Sequence, residues 1–343
     1  MKTSNKIYII ILNYNGWADT IECMESVLRN DYPNYQIILA DNNSFDGSME
    51  YIKAWADGRL DISVNQENPL KNLSTPPIPK AVPYVCYTKE EAENGGDPEL
   101  EAEFKTPLIF IQTGYNGGFA SGNNAGIKYA LVKDDFKYVL LLNNDTVVKE
   151  DFLTNNIKIV EKDEGIGLAG CKIMYYDEPE KVWFNGGSFN EYSGRTAHIR
   201  KEVFKDYSYV NFITGTCFII PKRTIEQINL LDETYFMYCE DLDYGYRVYK
   251  SGLKLAVIHN AKIYHKVGAS KEGGELSEFS VYWIARNGIK FRMNRLKSFK
   301  KFTSISFYLL SRFIAIPKWC ILKPVVAKAQ IKGIIDGILN NNT

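Results

Sequence analysis

The segment IYIIILNYNG, residues 7–16, decides how this chain folds. Six apolar residues in a row, 7–12, leave no polar face, which is the pattern of a strand buried on both sides of a parallel sheet. They run straight into Asn13-Tyr14-Asn15, which read as a turn. Helical spacing follows over residues 19–29, with Ile21, Met24, Val27 and Leu28 on one side. A second strand is expected over 35–40, a second helix over 46–55 and a weak third strand over 62–64. This rhythm predicts a parallel sheet with right-handed crossovers. Open α/β sheets bind ligands beyond the carboxyl ends of their strands, so residues just after each apolar run are the functional candidates.

Residues 66–105 break the rhythm. They carry prolines at 69, 76, 77, 79 and 83 and then an acidic run over 90–103. They read as an insertion or flexible lid, with disorder or a surface excursion as the plainer reading. The sheet resumes with strands over 108–112 and 138–142, separated by a Gly/Asn-rich turn and a helix running through Ala130. A helix over 151–163, short strands over 167–173, 182–184 and 212–220, a helix over 240–250 and a strand over 255–258 complete the α/β part. The division expected is one α/β domain over 1–275, in two parts, 1–150 and 151–275, and a helical tail over 276–343.

The tail differs in charge. Formal net charge is zero, yet from Val281 onward there are twelve Lys/Arg and one acid, Asp336. Such segregation points to an anionic partner. No known nucleic-acid-binding module motif appears, so the expected surface is an anionic membrane rather than nucleic acid. Residues 282–300 read as a basic helix. Residues 302–322 are apolar but interrupted by Arg312, Pro317 and Lys318. No stretch is expected to reach the ~20 apolar residues of a spanning helix. The segment should lie on a membrane or on the domain. The six cysteines show neither paired nor zinc spacing, and the first apolar run is too short for a leader. Both features predict a cytoplasmic protein, and the basic tail would place it peripherally on the inner face of the cell membrane.

The chemistry-bearing motifs follow the expected strands in order. Asp41 opens DNNSFDGS; GYNGGFASGNNAG (114–126) leads into a helix; Asn143-Asn144-Asp145 closes a strand; EDLDYGYR (240–247) opens a helix; YHKVGAS (264–270) follows another strand. A carboxylate behind a strand can hold a metal or a nucleotide, and a second can take a proton. Together they suggest metal-assisted group transfer from a nucleotide-activated donor. The glycine segment lacks GK[ST] and GxGxxG, so it is neither a P-loop nor a dinucleotide fingerprint. Its glycines suit close backbone approach or a plain turn, and the helix start favours anions. Glu240, Asp241 and Asp243 crowd the first turn of a helix. They serve either its dipole or a general base with a raised pKa. Arg247, four residues after Asp243, should pair with it.

This ordered set resembles family 2 glycosyltransferases of the GT-A fold, a Rossmann-like, mostly parallel sheet flanked by helices, nearest to bacterial rhamnosyltransferase-like members. The resemblance rests on IIILNYNG, ILADNNSFDGS, YNGGFASGNNAGI, LLLNNDTVV, FMYCEDLDYGYR and IYHKVGAS, spread over roughly residues 6–270. It implies an inverting transfer from a dTDP- or UDP-sugar, with dTDP-rhamnose as donor, to a glycan or lipid-linked acceptor. Asn13, Tyr14, Asn15, Asp41 and Asn43 would border the base, and Asn116, Gly117 and Gly118 the nucleotide-sugar pocket. Asn143-Asn144-Asp145 takes the place of the DxD motif with only Asp145 anionic. Asn143 and Asn144 would then reach ribose or diphosphate. Asp145 and His265 would hold Mg²⁺ or Mn²⁺, and Asp241 would be the base. Glu240, Trp183, Gly186 and Gly187 would face the acceptor, although Trp183 suits core packing equally well. A sugar-phosphate nucleotidyltransferase is the nearest alternative, but it should carry a GGxGTR-like loop where this chain has NYNG. A non-catalytic glycan- or nucleotide-sugar-binding protein is the other, and it should lack the base or metal position.

Overall fold

In a computed structural model, which describes residues 4–61, 64–65, 67–267 and 277–339, the apolar runs do become the centre of one sheet. β1 (Ile7–Asn13) lies between β2 (Tyr35–Asp41) and β5 (Tyr138–Asn143), parallel to both. β4 (Leu108–Gln112) pairs parallel with β2. Helices α1 (Trp17–Val27), α2 (Ser48–Ala56) and α5 (Gly118–Lys133) make the crossovers. The buried Ile7, Ile9, Ile10 and Ile11 explain why β1 needs cover on both faces.

Residues 66–105 are neither excursion nor disorder where described. They supply β3 (Tyr84–Thr88), which pairs parallel with β4 as the sheet's edge, and the short helices α3 (Lys89–Glu93) and α4 (Pro98–Ala102). The proline-rich stretch is tied down by a buried acid: Glu25 on α1 accepts from Ile78 N at 2.9 Å and Lys80 Nζ at 3.1 Å. A lid reading from composition missed this because the anchor lies fifty residues upstream. The third strand expected over 62–64 lies largely outside the described residues, and Val64 itself is not in a strand.

Beyond β5 the order is β6 (Thr146–Val148), α6 (Phe152–Lys162), β7 (Ile166–Tyr175), β8 (Val182–Phe184), β9 (Gly187–Asn190), β10 (Arg195–His198), β11 (Tyr207–Val210), β12 (Cys217–Pro221), α7 (Lys222–Ile228), α8 (Glu240–Lys250) and β13 (Lys254–His265). β12 inserts antiparallel between β5 and β7, and β13 runs parallel to β7. β1, β2, β4, β5, β7 and β13 therefore all point the same way, and their carboxyl ends share one edge of the sheet. β9 and β10 form a separate hairpin.

The tail is three helices: α9 (Glu278–Arg295), α10 (Ser298–Leu322) and α11 (Pro324–Leu339). The single basic helix expected over 282–300 breaks at Leu296, which is extended (φ −85°, ψ 147°). The interruptions expected over 302–322 do not end α10. One proline inside a helix can kink it without stopping it, and α10 runs 25 residues through Pro317. Contrary to the sequence expectation, α10 is long and apolar enough, by length and composition, to cross a membrane. Asp336, the one acid beyond Val281, accepts from Tyr282 Oη at 2.8 Å, which ties α11 to α9.

Candidate active site

The strand ends bring most of the motif residues to one edge. At the end of β1, Asn13 donates through Nδ2 to Asp41 Oδ1 at 2.7 Å and to Ser44 Oγ at 3.0 Å. Asp41 Oδ2 accepts the Ser44 amide at 3.0 Å, and Ser44 Oγ donates to Oδ1 at 2.6 Å. Asn15, left-handed at φ 50°, uses Oδ1 to accept the Phe45 amide, while its own N–H donates to Ser44 Oγ. Both turns are thus locked to each other by short polar side chains that tolerate such backbone. Tyr14 is exposed and meets the exposed ring of Phe45 edge-on, centroids 6.2 Å apart. Asn43, at φ 60°, lines with Asp41 a cavity of 460 Å³. Its other wall is Thr88, Lys89 and Glu90, from the segment read as an insertion, together with Gln112 and Thr113. Lys89 is held in place by Tyr115 Oη at 2.9 Å. No motif announces this wall; it arises because β3 brings Thr88 level with Gln112.

The glycine segment serves the protein more than an anion. Gly118 has φ +79°, and a Cβ there would lie 1.9 Å from the Phe236 carbonyl oxygen. The Phe119 amide donates to that oxygen at 3.0 Å, and Asn116 Oδ1 accepts the Gly118 amide at 3.0 Å. The first amides of α5 are therefore occupied, and Gly117 abuts the Ser121 side chain. What this close approach achieves is to seat the loop before α8 on the start of α5.

Asn143, Asn144 and Asp145 diverge. Asn144 turns inward and donates to Thr20 Oγ1 at 2.9 Å, which itself donates to Asn13 Oδ1 at 2.8 Å. Its amide thus belongs to the framework. The Asn143 amide donates to Thr216 O at 3.0 Å. Asp145 faces His265 across the β6–β13 pairing: Nε2 is 3.1 Å from Oδ1 and 3.2 Å from Oδ2, with hydrogen-bonding geometry only to Oδ2. Asp145 Oδ1 and His265 Nδ1 are buried without a hydrogen-bond partner among the described residues. Trp183 packs edge-on against His265, centroids 5.1 Å apart. The backbone at Lys266 returns to Asp145 O at 2.9 Å, and Lys266 Nζ pairs with Asp19 at 2.6 Å and with Glu22. Gly268 and Ser270 of the same motif lie outside the described residues.

α8 begins on two left-handed residues in succession, Tyr238 (φ 67°) and Cys239 (φ 70°). Such strain at non-glycine residues persists only where surroundings impose it. Here Asn287 of α9 donates to both Met237 O (2.8 Å) and Tyr238 O (3.0 Å). The three acids that follow have separate fates. Asp243 is fully buried and paired with Arg247 Nε at 2.8 Å, as its spacing predicts, and also with Arg295. Asp241 accepts from Gly215 N at 3.1 Å and Leu242 N at 2.7 Å. Burial pushes its carboxyl up, and those two amides pull it partly back. Glu240 is buried, and its Oε2 has no hydrogen-bond partner among the described residues. Burial, then the neighbouring Asp241 charge, pushes it well above the usual carboxylate range. Gly215 and Thr216 are residues the motifs do not reveal, and they matter. Thr216 holds the end of β5, and the adjacent Gly215 amide holds Asp241.

Gly186 and Gly187 sit at the turn into β9. Gly186 needs its φ of +117°, and its carbonyl accepts the Ile199 amide at 2.8 Å; Gly187 packs against Phe212. Among the described residues no three His, Cys, Asp or Glu side chains gather as a complete metal cage. Asp145 and His265 form a two-residue donor set.

Comparison with known proteins agrees with this arrangement. The family description "Glycosyltransferase like family 2" matches residues 81–282, and "Glycosyl transferase family 2" matches residues 8–70. The chain is 26% identical over 248 residues to the low-salt glycan biosynthesis hexosyltransferase Agl10 of Haloferax volcanii, covering 68% of this chain and 76% of that protein. It is 27% identical over 173 residues to the rhamnosyltransferase WbbL of Escherichia coli, covering 44% of this chain and 61% of that protein. In fold it is similar to the mannosyltransferase PcManGT of Pyrobaculum calidifontis, solved in complex with GDP-Man and Mn²⁺. That match has a TM-score of 0.55 at 11% identity, over 99% of this chain and 88% of that one. A second solved structure, S. aureus TarS 1–349, matches with a TM-score of 0.53 at 13% identity, over 97% and 81%. With a GT-A sheet, the ordered motifs at its carboxyl edge and a family match across more than half its length, this chain belongs to glycosyltransferase family 2.

Proposed function

We propose that the protein transfers a sugar, rhamnose from dTDP-rhamnose, to a hydroxyl of a glycan or lipid-linked acceptor during surface polysaccharide synthesis, with inversion. The observation that carries this reading is the backbone bridge between the two halves of the site. Asn143 at the end of β5 bonds to Thr216, and the next amide, Gly215, bonds to Asp241. A carboxylate that could accept a proton is thereby fixed to the strand end that carries Asp145.

In this scheme the nucleoside occupies the cavity beside Asp41 and Asn43. The Asn13–Asp41–Ser44 network holds its rim rigid, so little reorganisation is needed on binding. A divalent cation, Mg²⁺ or Mn²⁺, is implied by the family. One carboxylate oxygen without a partner and one imidazole suit such an ion when diphosphate oxygens and water complete its shell. Asp145 and His265 would hold it, and it would supply Lewis-acid stabilisation of the leaving diphosphate. The acceptor oxygen forms its bond to the anomeric carbon as the bond to the diphosphate breaks. The hydroxyl proton passes to Asp241, whose raised affinity for protons fits a general base. Glu240 and Trp183 border the acceptor side. Rhamnose is favoured because WbbL, to which the chain is 27% identical over 173 residues, is named a rhamnosyltransferase.

A panel of dTDP-, UDP- and GDP-sugars offered to the purified protein tests the reading. Slow hydrolysis of dTDP-rhamnose alone is expected. Selective hydrolysis of another donor would replace the sugar while leaving the transferase intact.

A further inference from the structure

We propose that α10 docks flat into the headgroup layer of an anionic bilayer, with its bare apolar face inserted and its lysines against lipid phosphates. The helix has a mean hydropathy of 1.4 over its most apolar window, and none of that window is buried. Phe299, Phe302, Leu310, Phe313, Ile314 and Ile321 are each at least 64% exposed. At 100° per residue they fall within one sector of the helix, the spacing of an amphipathic face. Contiguous apolar surface of this extent marks an interaction site.

The charge of α10 selects the partner. α10 contains no acid, and Lys318 and, just past its end, the exposed Lys323 flank the apolar sector, while Lys300 pairs with Glu191 and Arg312 packs on the Tyr308 ring of the protein-facing side. An apolar stripe edged by cations fits an anionic lipid surface, where both contributions add.

The opposite face shows why α10 lies down rather than crosses. Ser304 is fully buried against Gly194 of the turn between β9 and β10. Tyr308 Oη accepts from Gln330 of α11 at 2.8 Å, and the Arg292 guanidinium of α9 stacks 4.7 Å above its ring. A helix with one face fixed to polar protein groups cannot offer apolar surface all round, and Arg312 and Pro317 fall within its length. α9, which carries α10, also holds the Met237 and Tyr238 carbonyls before α8. Docking therefore sets the orientation of the active-site loop relative to the membrane.

The test is co-sedimentation of the full chain with phosphatidylcholine vesicles, with and without phosphatidylglycerol, at low and high salt. Anionic vesicles at low salt should carry down about tenfold more protein than neutral ones, and high salt should remove most of that gain. Phe313→Glu with Ile314→Glu should abolish binding, and Lys318→Glu with Lys323→Glu should abolish only the anionic preference. Nucleotide binding should be unchanged in both pairs, which shows that they fold. The proposal is overturned by absence of binding to anionic vesicles or by binding that survives the Phe313/Ile314 pair. It also fails if the protein resists alkaline carbonate, the mark of a spanning helix. A dimer in solution that the Phe313/Ile314 pair dissolves, without vesicle binding, would assign the face to a second copy of the chain.

Discussion

The polar groups at the ends of β1 and β2 and those at the ends of β5, β13 and the start of α8 are built on opposite plans. Around Asp41 the buried polar atoms bond to one another: Asn13, Ser44, Thr20 and Asn144 form a closed set. Around Asp145 and Glu240 they do not. Asp145 Oδ1, His265 Nδ1 and Glu240 Oε2 are all buried and, among the described residues, unpartnered. Leaving such an atom unsatisfied costs about 1–3 kcal/mol, more when charged. A chain that saturates one rim of its site and leaves the other open is rigid where the proposed scheme places the nucleoside. It stays uncompensated where that scheme places the charge of the reaction. α8 repeats the contrast within a single turn: Asp243 is doubly paired with arginines, while Asp241 and Glu240 have none.

The largest effect should come from Asp241→Asn. It keeps size and hydrogen bonding but removes basicity, so kcat should fall by about 10²–10⁴-fold with donor affinity and thermal midpoint nearly unchanged. Near-normal turnover with the true acceptor would break the contrast and make Glu240 the next candidate. Asp243→Asn should do the reverse. Two arginines would lose a buried counter-charge, and unfolding stability should drop by about 3 kcal/mol in denaturant titration. Activity per folded molecule should survive; a selective loss of turnover without loss of stability would contradict the paired reading.

The two members of the β5 turn sharpen it further. Asp145→Ala should abolish the strengthening of dTDP or UDP binding by Mn²⁺, measured by titration calorimetry, because it removes the one carboxylate of the donor set. Asn144→Ala should keep that strengthening and instead lower stability by about 1 kcal/mol through its lost bond to Thr20. Equal nucleotide affinity with metal and with chelator in the unmodified protein would remove the metal from the scheme.

The buried strands were legible because a continuous apolar run has few alternatives, and α8 was placed at its observed bounds because its acids mark the helix start. The site was legible as an order of motifs rather than as bonds. Asn144 looked like a ligand contact and is a framework donor, since its partner Thr20 lies on a helix whose pattern says nothing of hydroxyls. The glycines were legible as suited to close backbone approach, but that Gly118 approaches Phe236 was not. Lys89 and Thr88 were hidden in a proline-rich, acidic segment whose composition resembles a linker, though Glu25 and the edge of β4 hold it in place. In the tail, Arg312, Pro317 and Lys318 looked like breaks, but a helix tolerates them when the charges lie off its apolar face.

A further effect concerns Glu240, and its size depends on pH. Its carboxyl is raised first by burial and then by the charge of Asp241, whereas in the unfolded chain a glutamate titrates near about 4.3. The folded state therefore holds this proton to higher pH than the unfolded one. Linkage then makes stability fall as pH climbs from the unfolded value through the raised folded one. Glutamine imitates the protonated side chain and cannot ionise. Glu240→Gln should match the unmodified protein in stability near pH 4 and exceed it by about 1–3 kcal/mol near pH 8, the scale of one unsatisfied buried group. Denaturant midpoints measured across that range give the comparison directly. A gap that stays flat with pH, or that favours the unmodified protein at pH 8, would mean that Glu240 carries its charge in a paired state. Glu240 would then belong with Asp41 and Asp243 on the saturated side of the molecule.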